Sequence, residues 1–308
     1  MFKHTTNSVI MVRPAGFYAN PDTADDNVYQ NSSDESLESI QAKALAEFDN
    51  VVELLKKEGI DVNVIQDVKE PSTPDCIFPN NWFSSHEGDT LVIYSMFSQA
   101  RRYEMEKFKR QVEEILLRKN DNRLLSVLDY SYATKRNIFL EGTGAMVIDR
   151  KNKVAYCSVS KRADKELFYH FCKDTGHTPV TFSAMQDDQP IYHTNVLMGI
   201  GEELTLICLD TIVDENERKM VKESLENGGN TIVELSLDQV KNFLGNNIEL
   251  KAKEGKNILA ISTTAYNSLC AEQIKIIEEK LKIFHAPIDT IEYYGGGSMR
   301  CMIAEIFV

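Results

Sequence analysis

The chain lacks an apolar run long enough to cross a membrane, and it is poor in basic residues. No stretch of about 18 apolar residues exists, and the beginning, MFKHTTNSVIMVRPAG, has neither the apolar region nor the cleavage site of a secretory signal. The 34 Lys and Arg residues are outnumbered by 47 Asp and Glu, giving a net charge of -13. The missing apolar run leads us to expect no membrane partner. Because non-specific nucleic-acid binding needs a basic surface, we expect no nucleic-acid partner either.

Closely spaced cysteines are missing as well. No CxxC pair occurs, and the wide spacing fits neither a zinc site nor a disulfide framework. The cysteines are Cys76, Cys157, Cys172, Cys208, Cys270 and Cys301. We therefore expect reduced thiols, for which the cytoplasm is the default compartment.

Several catalytic motifs are absent too. The chain has no HExxH, no Walker loop, no GxGxxG that opens a helix and no GxSxG elbow. We expect no metal and no cofactor. A cysteine nucleophile with a histidine partner is the economical scheme that remains.

A repeated order of elements runs through the sequence. Strand, strand, helix and strand recur roughly five times, from a first strand at Val9–Val12 to a last one at Met302–Val308. The last helix is predicted at Ala271–Lys282. No Pro- or Gly-rich linker divides the chain, so we predict one α/β domain over residues 1–308.

Cys301 is the first candidate for chemistry. It follows three glycines in Gly295-Gly296-Gly297-Ser298-Met299-Arg300-Cys301. Glycines accept positive φ angles and close backbone approach, and irregular backbone often carries function. The alternative is a buried thiol that packs as a small apolar group.

Glu141 and His193 lie where loops meet strands. Glu141 lies between apolar residues and a Gly-x-Gly turn, and it is either a solvated loop carboxylate or a buried functional one. His193 directly precedes a predicted strand, and it is either a structural histidine or a general acid and base, since its ordinary pKa is near neutrality.

Two further motifs carry polar side chains suited to a ligand. The amides of Asn80 and Asn81 precede the only tryptophan, and they form either a turn or a donor and acceptor pair in a pocket. Arg162 lies near a helix start, an end that disfavours cations, so a bound carboxylate is plausible beside the alternative of a surface cation.

Taken in chain order, these motifs resemble those of the guanidine-modifying enzymes, or penteins, which include arginine deiminases, dimethylarginine hydrolases and amidinotransferases. The segment that ends in Cys301 resembles their catalytic-cysteine motif, Leu140-Glu141-Gly142 their Glu-Gly motif, and His193-Thr194-Asn195 the motif of their catalytic histidine. Further resemblances are found in Met11-Val12-Arg13-Pro14, Phe78-Pro79-Asn80-Asn81-Trp82 and Ser160-Lys161-Arg162. The two Asn-containing motifs are most similar to the citrulline-utilisation hydrolases, often labelled amidinotransferase-like.

The resemblance implies a five-bladed α/β propeller of ββαβ units around a central channel. It implies that Cys301 is the nucleophile, that His193 is the acid and base, and that Glu141 holds the substrate nitrogens. The substrate-binding residues that it implies are Asn80, Asn81, Asn195, Arg162 and Arg102. Arg162 would bind the α-carboxylate of a small amino acid, with Arg102, Arg101 and Arg13 as lesser candidates.

Asn81 and Asn195 stand where deiminases commonly have aspartates. Two carboxylates suit a cationic guanidinium, whereas an amide offers both a donor and an acceptor, as a neutral ureido group requires. We therefore expect hydrolysis of citrulline to ornithine, ammonia and carbon dioxide. Arginine deimination, amidino transfer to an amine and non-catalytic binding of an arginine-like ligand remain alternatives, and the oligomeric state, a homo-oligomer included, stays open.

Overall fold

The computed structural model describes residues 4–24 and 27–308 and shows an α/β fold. Helices alternate with short strands along the chain. The helices of the described residues are α1 (Leu37–Lys57), α2 (Gln99–Lys119), α3 (Gly142–Ala145), α4 (Lys165–Thr175), α5 (Glu215–Asn227), α6 (Leu237–Lys241), α7 (Thr263–Asn267), α8 (Ala271–Lys280) and α9 (Asp289–Gly295). None of these helices is both long enough and apolar enough to cross a membrane.

The strands are short and evenly distributed. They are β1 (Ser8–Arg13), β2 (Asp61–Gln66), β3 (Phe83–His86), β4 (Thr90–Ile93), β5 (Ser126–Asp129), β6 (Met146–Asp149), β7 (Val154–Ser158), β8 (Thr178–Phe182), β9 (Met185–Gln186), β10 (Gln189–Pro190), β11 (Met198–Ile200), β12 (Leu204–Ile207), β13 (Thr231–Glu234), β14 (Ile248–Leu250), β15 (Ile258–Ser262), β16 (Lys282–Ala286) and β17 (Ala304–Glu305).

Three-stranded sheets of one design recur through the described residues. Their orders are β17-β1-β2, β3-β4-β5, β6-β7-β8, β11-β12-β13 and β14-β15-β16. In each sheet the middle strand pairs antiparallel with one neighbour and parallel with the other. The parallel pair is joined through a helix, as parallel strands require, so each unit reads strand, strand, helix, strand. The first sheet takes its first strand, β17, from the other end of the chain.

The helix α1 shows how the apolar pattern builds one such unit. Its residues Ile40, Ala44, Phe48 and Leu55 recur on one face and are buried in a core cluster with β1. Ser36 caps the helix start by accepting a hydrogen bond from the backbone N–H of Ser39.

The C-terminal elements differ from the sequence prediction. The predicted helix Ala271–Lys282 ends at Lys280, because Lys282–Ala286 pairs in parallel with β15 as strand β16. The predicted strand Met302–Val308 contracts to Ala304–Glu305, and the helix α9 was not predicted. Tertiary contacts stabilise α9, since the Glu47 carboxylate on α1 accepts hydrogen bonds from two backbone N–H groups of its first turn.

Candidate active site

The candidate residues lie just before the first strands of different units. Asn81 precedes β3, Asn195 precedes β11 and Cys301 precedes β17, each by two or three residues. Asn246, which the sequence analysis missed, stands in the same position before β14. Hydrogen bonds join Asn195 and Asn246 to Cys301, so chain segments far apart in sequence converge on one buried thiol.

The segment before Cys301 is fixed by the end of α9 and by the hydrogen bonds of Ser298. Gly296 ends α9 with a φ of 63°, a left-handed conformation that glycine adopts without strain. The Ser298 hydroxyl donates to the buried Glu292 carboxylate at 2.6 Å, and the backbone N–H of Cys301 donates to the carbonyl of Ser298 at 3.0 Å. The glycine run therefore ends a helix and starts a turn that fixes the thiol.

Two amides donate to the Cys301 sulfur. The Nδ2 atom of Asn246 lies 3.2 Å from Sγ, and the Nδ2 atom of Asn195 lies 3.5 Å from it. Oδ1 of Asn246 also accepts from the backbone N–H of Arg300, which fixes the amide orientation with its NH₂ toward the sulfur. Donors of this kind stabilise a thiolate relative to a thiol.

Glu141 and His193 form a buried pair. Oε2 of Glu141 lies 2.7 Å from Nε2 of His193, and the backbone N–H of Phe97 donates to the other carboxylate oxygen at 2.9 Å. Burial opposes ionisation of Glu141, but the positive charge of Arg162 and the hydrogen bond of His193 outweigh it and hold its pKa at about 2. Glu141 is therefore a carboxylate at neutral pH, and its bond with Nε2 orients the imidazole.

His193 is neutral in this surrounding. Burial lowers its pKa below the ordinary 6.5, and the cations Arg162 and Arg101 lower it further, although Glu141 acts in the opposite direction. A neutral imidazole can accept a proton and later return it, as a general acid and base must.

The guanidinium of Arg162 reaches the same carboxylate. Its Nη1 lies 3.6 Å from Oε2 of Glu141, and the side chain is 3% exposed. The guanidinium carbon lies 4.5 Å from the centre of the Tyr192 ring and 5.7 Å from that of Phe97. Cation–π contacts with these two aromatic rings favour the charged guanidinium at this buried position.

Asn81 is oriented by Arg101. Nη1 of Arg101 donates to Oδ1 of Asn81, and because arginine has no acceptor, this contact fixes which end of the amide is oxygen. The Nδ2 atom of Asn81 is buried and has no hydrogen-bond partner within residues 4–24 and 27–308. A Cβ built on Gly144 would lie 2.3 Å from this Nδ2 and 2.8 Å from Nδ1 of His193, so both nitrogens face the same glycine.

Two arginines that were candidates for binding the substrate carboxylate are engaged by groups of the protein itself. The guanidinium of Arg101 is engaged by the Glu104 carboxylate and the carbonyl of Phe78, and Arg13 pairs with Asp49 at the surface. Arg13 is therefore outside the site, and Arg101 is a positioning residue. The prediction of either as a carboxylate ligand is not supported by this geometry.

Arg102 and Asn80 also support neighbouring segments. Arg102 donates to the carbonyls of Met96 and Phe97, the loop whose N–H group binds Glu141. Asn80 donates through Nδ2 to Thr143, next to Glu141. These contacts fit positioning residues better than the substrate-binding residues that the sequence predicted.

A family model described as N,N dimethylarginine dimethylhydrolase, eukaryotic, matches residues 13–308. No curated protein matches the chain.

Solved structures are similar over nearly the whole chain. The N-terminal domain of ArgZ with bound substrate, an arginine dihydrolase from the ornithine–ammonia cycle in cyanobacteria, has a TM-score of 0.74 and 16% identity, covering 97% of this chain and 98% of that one. AgrE in complex with L-arginine has a TM-score of 0.75 and 13% identity, covering 97% of this chain and 40% of that one. A dimethylarginine dimethylaminohydrolase variant, as an adduct with S-methyl-L-thiocitrulline, has a TM-score of 0.62 and 15% identity, covering 99% and 100%. At such identities the likeness establishes the fold.

Proposed function

The chain belongs to the N,N-dimethylarginine dimethylhydrolase family, and from this premise we propose that it is a cysteine-dependent hydrolase of a ureido or guanidino C–N bond in a free amino acid, with citrulline as the favoured substrate. The family membership confirms the resemblance to guanidine-modifying enzymes and the prediction of a hydrolase. The placement among citrulline-utilisation hydrolases stays a prediction.

The architecture that we infer for this hydrolase is a five-bladed propeller. Each three-stranded sheet would be one blade, with its first strand at the centre. This arrangement is supported by the position of Asn81, Asn195, Asn246 and Cys301, each just before a first strand. Residues 1–308 would then form one catalytic domain, because the first blade needs strands from both ends of the chain.

The orientation of the Asn81 amide carries the choice of substrate. With Oδ1 bound to Arg101, Asn81 presents a donor to the site, whereas an aspartate would present an acceptor. Asn195 has its Nδ2 on the Cys301 sulfur, and its buried Oδ1 has no partner in the described part of the chain. One donor and one acceptor match the oxygen and the NH₂ group of a neutral ureido group.

The reaction begins at the sulfur of Cys301. The thiol proton passes to neutral His193, and the thiolate attacks the ureido carbon, with the amides of Asn246 and Asn195 on the sulfur. His193 then protonates the terminal nitrogen, which leaves as ammonia, and an S-carbamoyl cysteine remains. No metal or cofactor takes part in this scheme.

Water completes the cycle. His193 removes a proton from the water, which attacks the carbamoyl carbon and expels the thiolate. The released carbamic acid decomposes to ornithine and carbon dioxide, so the sum is citrulline plus water to ornithine, ammonia and carbon dioxide. Glu141 keeps the imidazole oriented throughout through its 2.7 Å contact with Nε2.

Arg162 would bind the α-carboxylate of the substrate, as the motif around it implies. In the present geometry Nη1 of Arg162 is 3.6 Å from Oε2 of Glu141. This places the guanidinium close to where the ureido group would react, whereas the α-carboxylate lies at the other end of the substrate. We propose that the substrate displaces this contact and that the planar guanidinium, held against Tyr192, turns its paired donors to the carboxylate.

Arginine is the second candidate substrate. ArgZ is described as an arginine dihydrolase, and AgrE was solved with L-arginine. A site of this kind could hydrolyse arginine to citrulline and then citrulline to ornithine with the same cysteine. N,N-dimethylarginine is a further candidate substrate, suggested by the description of the family model. Amidino transfer would require that an amine, instead of water, attacks the covalent intermediate. A non-catalytic protein would bind such ligands without turning them over.

Ammonia release from the purified protein tests these alternatives. Citrulline, arginine, N,N-dimethylarginine and agmatine are incubated in parallel, and citrulline and ornithine are quantified by chromatography. We expect ornithine from citrulline, and no turnover by the Cys301→Ala protein. Full activity of Cys301→Ala would end the proposed mechanism.

The product pattern separates the candidates. Arginine that stops at citrulline, with citrulline itself inert, would establish a deiminase and contradict the argument from the two amides. Release of dimethylamine from N,N-dimethylarginine alone would assign the activity named by the family model. Turnover that appears only after an amine acceptor is added would assign transfer. Binding without turnover under all conditions would identify a non-catalytic protein.

A further inference from the structure

A second polar cleft lies away from the candidate active site. Asn81 and Glu141 precede β3 and β6, whereas the cleft is at the opposite ends of these strands, beside His86 and Arg150. Its volume is about 210 Å³. The residues that line it are His86, Glu87, Thr90, Arg150, Lys153 and His177, among others.

Arg150 is the buried cation of this cleft. Its guanidinium carbon lies 3.9 Å from the centre of the Phe307 ring, and Nη2 is 3.8 Å from a Glu305 carboxylate oxygen. That same oxygen binds Arg300 at 2.9 Å, so one carboxylate is shared by two arginines. Arg300 thus competes with Arg150 for this carboxylate, and the Glu87 carboxylate of the cleft also acts on Arg150.

Hydrogen bonds fix the proton positions on His86. Nη1 of Arg150 lies 3.4 Å from Nδ1 of His86, and since arginine only donates, Nδ1 is an acceptor. The Nε2–H group of His86 then donates to Ser84 at 2.7 Å. Burial, with the nearby cations Arg150 and Lys153, lowers the pKa of His86 and keeps the ring neutral.

His177 has an unused nitrogen. The Thr175 hydroxyl donates to the carbonyl of Phe171 at 2.7 Å, so its oxygen accepts from Nδ1–H of His177 at 2.8 Å. The Nε2 atom is thus a bare acceptor. It is buried, with no partner within residues 4–24 and 27–308, in a side chain that is 7% exposed. Burial and the cations Lys153 and Arg150 lower the pKa of this histidine to about 4.

We propose that this cleft binds a phosphate group, either free phosphate or a phosphate monoester. Arg150 and Lys153 supply positive charge for the anion. A monoprotonated phosphate also has a P–OH group, which can donate the hydrogen bond that Nε2 of His177 lacks. A phosphate monoester has a second pKa of about 6, so it keeps or takes up such a proton near neutrality. A carboxylate or sulfate ion cannot offer this donor at neutral pH.

Isothermal titration calorimetry with inorganic phosphate, glycerol 3-phosphate and sulfate tests the site. We expect one site per chain that prefers the two phosphates to sulfate by at least about tenfold at pH 7. Phosphate stronger than the monoester would identify the free ion as the ligand, and the reverse order would identify a monoester. Absence of binding by both phosphates overturns the proposal.

Variants locate the binding. His177→Gln keeps a polar side chain, and Lys153→Asn suits the left-handed backbone at φ 55°. Each should weaken phosphate binding by about tenfold or more, with circular dichroism as the check of folding. His285→Gln, which alters a histidine stacked on Tyr266 elsewhere, and Arg162→Met, which removes the arginine of the candidate active site, should leave it within about twofold. Loss of binding in Arg162→Met alone, or unchanged binding in both cleft variants, contradicts the assignment.

The pH dependence provides an independent signature. The charged and titratable groups that face His177 are His86, Glu87, Arg150, Lys153 and Asp174. Above about pH 6 the monoester is a dianion and must take up a proton on binding, so its affinity should fall by up to about tenfold per pH unit. Below that pH the proton is already on the ligand and the affinity should level off. An affinity that rises with pH from 6 to 8 is incompatible with a proton shared at Nε2.

Discussion

The Nδ2 atom of Asn246 lies 3.2 Å from the sulfur of Cys301. The same side chain accepts from the backbone N–H groups of Arg300 and Cys301 through Oδ1, at 3.0 and 3.4 Å. One amide thus fixes the position of Cys301, the proposed nucleophile, and also contributes a donor to its sulfur. This double contact assigns to Asn246 a role that the motif around Cys301 does not reveal.

Replacement of Asn246 by aspartate tests that role. Asn246→Asp keeps the acceptor for the backbone N–H groups but places an oxygen where the donor to sulfur was. Negative charge beside the sulfur disfavours the thiolate, so we expect the rate of iodoacetamide alkylation of Cys301 and kcat/KM to fall by about tenfold or more. Asn216→Asp, at an exposed position in α5, should change neither rate. Equal rates in wild type and Asn246→Asp would remove Asn246 from the thiolate site.

The size of residue 144 is limited by two side-chain nitrogens of the candidate active site. A methyl group on Gly144 would lie 2.3 Å from Nδ2 of Asn81 and 2.8 Å from Nδ1 of His193. One or both side chains must move, and displacements of this size cost catalysis roughly 100-fold. We expect Gly144→Ala to lower kcat by about that factor. Gly16→Ala, where nothing lies within 4 Å of the added methyl, is the matched control. Wild-type kcat in Gly144→Ala would show that the positions of these nitrogens are not critical.

The pH profile depends on the charge around His193. Because the pKa of His193 is lowered from the ordinary 6.5, the imidazole becomes protonated only at a pH below that value. We therefore expect the acid limb of kcat/KM below pH 6.5. Arg162 contributes to this lowering, so its removal in Arg162→Met should raise the pKa of His193 and move the acid limb of kcat/KM to higher pH. Arg110→Met, at an exposed arginine of α2, should leave the profile in place. A limb that moves to lower pH in Arg162→Met would contradict a neutral His193 as the base.

Much of this site could be predicted from the sequence, because its motifs are local. Cys301 follows its glycine run, and Glu141 and His193 each lie five residues before a strand, β6 and β11, that the apolar pattern marks. Asn246 was missed because Gly245-Asn246-Asn247 has the composition of an ordinary turn. Its signal was the similar placement of Asn80-Asn81 before another first strand, which becomes informative only when the repeated units are aligned by structure.

The arginines show the limit of such prediction. Arg101 and Arg102 are adjacent in sequence, yet one orients Asn81 and the other holds the loop at Phe97. The charge of the two arginines and their positions in the sequence do not distinguish the two roles. Each role depends on hydrogen-bond partners that only the tertiary fold supplies. The missed strand β16 has the same cause, since its pairing with β15 overrides a helical pattern that continues past Lys280.

The pairing of Asn81 with Arg101 leads to the most discriminating substitution. Asn81→Asp retains an acceptor for Nη1 of Arg101 but exchanges the unpartnered NH₂ group for an oxygen. A donor suits the ureido oxygen, whereas a carboxylate suits a guanidinium, so we expect kcat/KM for citrulline to fall by about tenfold or more relative to that for arginine. Arginine given to this variant should accumulate as citrulline, measured by chromatography against ornithine. Asn80→Asp, one residue earlier and bound to Thr143, is the matched control, and its ratio should stay near that of wild type. An unchanged ratio in Asn81→Asp would show that the amide does not select the substrate, and the choice between citrulline and arginine would then have to come from Glu141 and Asn195.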